Sequence, residues 1–133
     1  MKDRRETTYI VVHCADTPDD MDVGVEEITQ WHKERGFRTV GYHYVIRLDG
    51  TIEQGREPST IGAHVKGHND ESIGICVVGR GNLTPQQDEN LFELIRLLKR
   101  TYTDAEIIGH TDLDDGKTCP NFDVKEWWEK KNE

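Results

Sequence analysis

Three side chains in the run GHTDLDDGKTCP can do chemistry: His110, Lys117 and Cys119, the lysine two positions before the cysteine. A second histidine, His13, closes the apolar run TTYIVVHC far upstream. Two imidazoles and a thiolate make a three-ligand zinc set with an open fourth position, the form that catalytic sites take and closed structural sites do not. A lysine beside such a set puts a fixed positive charge where an oxyanion can develop. The combination points to metal-assisted hydrolysis.

Each residue also has a plainer reading. A histidine ending an apolar strand is more often a satisfied core residue than a ligand, and most loop lysines are simply solvated. His110 repeats the His13 pattern at the end of another strand, however, and Cys119 follows in a polar loop. Strand ends and the loops beyond them are where functional groups gather. The other cysteines fit less well. Cys14 is adjacent to His13 on a strand and so belongs to the opposite face, while Cys76 sits inside SIGICVVG as a small core residue. Three irregularly spaced cysteines make no disulfide framework. Asp112, Asp114 and Asp115 read as a solvated loop.

The elements that must position these groups are legible from periodicity. Residues 7–14 form a buried strand. Between Gly24 and Arg35, Val25, Ile28, Trp31 and His32 recur at helical spacing, with Glu26 and Glu27 in the first turn and Gly36 as the stop. GYHYVIRLDGTIEQG is a hairpin on an Asp-Gly turn. Alternation sends Tyr42, Tyr44 and Ile46 one way and His43 and Val45 the other, and gives His43 a structural hydrogen-bonding role. A glycine-punctuated loop carrying His64 and His68 leads to SIGICVVG, a central strand. Thr84-Pro85 with Gln87 opens a helix by a capping box, whose buried stripe is Leu91, Leu94, Ile95, Leu98 and Tyr102. AEIIGH is a short last strand delivering His110, and FDVKEWWEKK a final helix packing its tryptophans onto the core. The expectation is an α/β fold (α+β in its segregation of elements), with a central mixed β-sheet of about five strands flanked by about three helices.

The chain of 133 residues is long enough for one domain with a real core, and residues 1–6 form a short tail before the first strand. No stretch approaches the ~20 apolar residues of a membrane span, and MKDRRETTYIVV lacks the apolar run of a secretory signal, so synthesis in a cytoplasm is expected. A formal net charge of -9 argues against nucleic acid and anionic membranes as partners.

The segments VVHC, ITQWHKE, GYHYVIRLDGTIEQGR, GAHVKGHN, SIGICVVG and KTCPNFDVKEWW stand in the order found in the zinc-dependent N-acetylmuramoyl-L-alanine amidases of the type 2 family, which the chain resembles from about Thr8 to Trp128. That family includes phage amidase-type lysozymes, or endolysins, and the animal peptidoglycan recognition proteins; the short phage enzymes are the nearer likeness. The resemblance implies a Zn2+ held by His13, His110 and Cys119. It also implies Tyr42 of the GYH motif and Lys117 as catalytic groups, and His64 and His32 as contacts to muramyl peptide. The implied reaction is cleavage of the amide between N-acetylmuramic acid and L-alanine in peptidoglycan. The implied setting is a monomeric endolysin made in the host cytoplasm, reaching the wall after another protein permeabilises the membrane. Two rivals follow from the same resemblance. Recognition proteins that bind without cutting typically lack the cysteine, so Cys119 speaks against that reading. Some phage amidases also bind their phage RNA polymerase, which an acidic surface suits and a short N-terminal segment disfavours. The loop from His110 to Cys119 departs from the phage pattern in being slightly longer and rich in aspartate.

Overall fold

The structure, a computed structural model, describes residues 2–133. Its strands are β1 (Tyr9–Cys14), β2 (Tyr44–Ile46), β3 (Ile52–Gln54), β4 (Ser72–Val77) and β5 (Glu106–Gly109), and its helices α1 (Val25–Glu34), α2 (Pro85–Thr101) and α3 (Val124–Lys131). One mixed sheet has the order β3-β2-β4-β1-β5, with β1 parallel to both β4 and β5, β2 parallel to β4, and only the β2–β3 hairpin antiparallel. The two most apolar runs in the sequence thus become the adjacent central strands, covered on both faces as parallel strands require.

Alternation divides the core in two. Ile10, Val12, Ile73, Ile75 and Val77 face Leu91, Ile95 and Leu98 of α2 and Val124 of α3. Trp127 and Trp128 pack against this layer as expected, and the Trp127 indole N–H donates to Asp88 Oδ1 at 2.7 Å. On the other face, Val45, Cys76 and Val78 meet Ile28 of α1, and Val11 meets Val65 and Ile108. This second face carries the site.

Two expectations need correction. Tyr42 does not share a face with Tyr44 and Ile46: those two pack toward α2, whereas Tyr42 packs with Val45 and Cys76 on the α1 side. The ladder begins only at Tyr44. Before it, the consecutive amides of Gly55 and Arg56 donate to the consecutive carbonyls of His43 and Tyr42, at 2.8 and 3.0 Å. Bonding by two successive residues breaks the every-other-residue pattern of an antiparallel pair without changing its register, and the chain bends at His43, so Tyr42 lies outside the extended strand and its side chain is re-aimed. Trp31, counted in the α1 stripe, is exposed at 37 %, because Val25, Ile28 and His32 define the buried face and Trp31 falls at its edge.

The capping box on α2 is present and ties the helix to the sheet. Thr84 Oγ1 accepts from the Gln87 amide at 3.1 Å, Gln87 Oε1 accepts from the Thr84 amide at 3.0 Å, and Gln87 Nε2 donates to the Val78 carbonyl at 2.9 Å. Gln87 is completely buried. Gln87→Leu orphans these groups and is expected to cost about 2 kcal/mol, seen as a lower urea midpoint with the slope retained; an unmoved midpoint refutes this role.

Candidate metal centre

The register of β1 against β5 builds the centre. Val12 lies opposite Gly109, so the residues that follow, His13 and His110, leave the sheet side by side. Their ring centroids are 4.6 Å apart. His110 opens a short 3-10 turn, His110–Asp112, which starts the loop toward Cys119. Asp112 folds back to accept the Gly109 amide at 2.8 Å, and the Thr111 amide donates to the Cys119 carbonyl at 2.9 Å, pinching the loop shut at its base. Cys119 therefore arrives beside the two histidines. One ligand atom from each of His13, His110 and Cys119 lies within 4.8 Å of the others, the single such group among the described residues.

The donor set suits a divalent metal with nitrogen and sulfur preference. His13 is 1 % exposed, and burial, then the neighbouring His64 and His110, hold its pKa well below the ordinary value. Burial lowers that of His110 too, with Lys117 in the same direction and Asp114 opposing. Both imidazoles are therefore neutral near pH 7, the state that ligates. The Cys119 sulfur accepts the backbone N–H of Cys14 at 2.9 Å, a bond that favours thiolate. Against it, the adjacent Cys14 thiol and burial push the Cys119 thiol up. A metal must displace that proton on binding, as at other thiolate sites.

Every site residue named from the sequence lines one groove of about 700 Å³: His13, His32, Tyr42, His64, His110, Lys117 and Cys119. The Tyr42 ring stands 5.0 Å from that of His13 and 5.4 Å from that of His32. Burial raises the Tyr42 pKa well above its usual value, with the nearby thiols adding to it, so the phenol remains a proton donor at neutral pH. His32 spends Nδ1 as acceptor for the Gly41 amide at 2.9 Å. The acidic loop presents Asp114 and Lys117 to the groove, the Lys117 amide donating to the Asp114 carbonyl at 3.0 Å. Sequence reading missed Arg35 and Lys66, which line the same groove and make it locally cationic in a chain of net charge -9. Nothing in their spacing marks them; only the fold gathers them.

His43 takes the structural role expected of it. Its Nε2 donates to the Thr60 carbonyl at 2.8 Å and its Nδ1 accepts the Gly74 amide at 3.0 Å, with the ring fully buried. That neutral, doubly bonded ring braces the loop before β4.

A profile of the N-acetylmuramoyl-L-alanine amidase family matches residues 3–122. An endolysin of Klebsiella phage KP32 is 50% identical over 135 residues, spanning 96% of this chain and 89% of the relative. An endolysin of Escherichia phage T7 is 44% identical over 137 residues, spanning 97% of this chain and 90% of its own length. Among solved structures, the N-acetylmuramoyl-L-alanine amidase LysC from Clostridium intestinale is similar with a TM-score of 0.86 at 34% identity, covering 96% of this chain and 86% of that one.

Burial carries the His43 pKa down from 6.5 to about 4. Between these values the unfolded chain takes up the proton first, so the stability from a neutral His43 is complete above about pH 6.5 and drains away as pH falls toward 4. The unfolding free energy should drop across that window by at most about 1.4 kcal/mol per pH unit for this group. His43→Gln should flatten that part of the profile in urea titrations at successive pH values; an identical slope in the variant overturns the assignment.

Proposed function

Since the chain belongs to the N-acetylmuramoyl-L-alanine amidase family and is an endolysin-type amidase, we propose that it cuts the bond between the lactyl group of N-acetylmuramic acid and L-alanine at a zinc site made by His13, His110 and Cys119. The observation that carries this reading is the convergence of those three donors within 4.8 Å, with Tyr42 and Lys117 lining the same groove. Bound there, zinc supplies Lewis acidity that activates water near neutral pH and polarises the amide carbonyl.

The protein's own groups divide the remaining work. Lys117 brings an ammonium to the oxyanion that forms when water adds to the carbonyl carbon. Lys117 is exposed at the groove, so its charge acts at full strength only once bound substrate displaces the water around it. Tyr42, kept protonated by burial and with its ring 5.0 Å from that of His13, offers the phenolic proton that would pass to the departing alanine nitrogen. Arg35 and Lys66 suit the carboxylates of a stem peptide, and with Lys117 they outnumber the acidic Asp114 in the groove. The endolysin relatives support action at the wall, which we place after the host membrane has been breached.

Purified protein should contain one zinc per chain, and chelation should stop release of peptide from muramyl peptides, with activity restored by added zinc. Cys119→Ser should lose both metal and turnover; full turnover in that variant refutes the ligand set. Lys117→Ala should keep its zinc and lose about 100- to 1,000-fold in kcat. A Lys117→Ala enzyme with unchanged kcat removes the lysine from the mechanism without touching the metal assignment.

A further inference from the structure

The resemblance casts His64 as a contact to muramyl peptide, yet both of its ring nitrogens are already engaged within the protein. Nδ1 is 2.9 Å from Nε2 of His13, and Nε2 is 3.2 Å from Oγ of Ser72. The Ser72 hydroxyl has one proton, and it goes to the His68 carbonyl at 2.7 Å. Toward His64 the hydroxyl is therefore an acceptor, which puts the His64 proton on Nε2 and leaves its Nδ1 as acceptor in turn. A neutral His13 must then carry its proton on Nε2 and donate it to His64. Its Nδ1 is left as the one nitrogen with a free lone pair.

The parts of this chain are built in. Ser72 is completely buried at the start of β4. Asn69 Oδ1 accepts the amides of both His64 and Val65 at 2.8 Å, fixing the backbone under the ring. The ring lies so close over Gly74 that a Cβ there would come within 2.6 Å of it. With both nitrogens spent, His64 has no free polar ring atom to offer a substrate.

We propose that His64 is a positioning residue for the metal centre: polarised by Ser72, it fixes His13 in the Nε2–H tautomer and reserves Nδ1 for the metal. This rests on the zinc reading above. Outer partners of this kind commonly change metal affinity by about 10- to 100-fold when removed.

Long-range proton–nitrogen NMR of the zinc-loaded protein should find the His13 proton on Nε2. In a chelator competition, His64→Phe should weaken zinc by about 10- to 100-fold. His64→Asn, whose carbonyl oxygen takes the place of Nδ1, should recover most of that loss. KM for muramyl peptide should stay near wild type in His64→Asn. Should His64→Phe fail to fold, Ser72→Ala tests the same chain through a smaller loss of zinc affinity. A His13 proton on Nδ1 overturns the inference. So does unchanged zinc affinity in folded His64→Phe or Ser72→Ala, and a raised KM alongside it would return His64 to substrate binding. Wild-type protein that takes up no zinc overturns the metal reading and this inference together, whereas normal wild-type uptake with unaffected variants overturns this one alone.

Discussion

Parallel pairing of β1 with β5 in a single register is the constraint on which the centre depends. Val12 against Gly109 brings His13 and His110 out together, and a slip of one residue would turn His13 into the layer beneath α2. What prevents the slip lies on the other side of the sheet. Ile10 and Val12 are fully buried against Leu91 and Ile95, and withdrawing either from that layer forfeits roughly 1.5–3 kcal/mol of apolar burial. The apolar packing that looks remote from the groove therefore holds two of its three clustered donors in phase.

Above that register sits an unusually polar second layer. His13 and His43 are buried and His64 is half-buried beside them, with His43 and His64 rings 5.8 Å apart and those of His13 and His64 5.0 Å apart. Charging any of them would be costly without water, so all are held neutral, and a neutral imidazole needs one donor partner and one acceptor partner. Backbone groups satisfy His43, and the hydroxyl of Ser72 begins the sequence that satisfies His64 and His13. Room for the rings comes from missing side chains: a Cβ at Gly62 would meet both His43 and His64 at 2.8 Å. Glycine here is a matter of volume, since it lets an imidazole lie almost on the main chain.

The three converging donors and the elements were readable because their signals are local: apolar runs ending in histidine, a capping box, an Asp-Gly turn, and motifs in a recognisable order. What escaped depends on geometry between segments. Alternation misplaced Tyr42 because a bend just ahead of a strand is invisible to a period-two count, although the motif around it still marked it out, and it does line the groove. Trp31 passed as core because apolar spacing does not show where a stripe ends. Ser72 looked like an unremarkable first residue of a strand, and Arg35 and Lys66 like ordinary surface cations. Their significance appears only when separate loops meet over Gly74 and beside His13.

The bond from the Thr111 amide to the Cys119 carbonyl separates two functions that share one stretch of chain. Because the loop is closed at its base, the residues between can change in number and charge while the sulfur stays where β1 and β5 need it. Closing a somewhat longer loop adds little entropy cost, roughly 0.6 kcal/mol for each doubling. The acidic stretch thus forms a rim on a fixed socket: Asp114 and Lys117 line the groove, while the base that seats Cys119 beside His13 and His110 is set by the main chain.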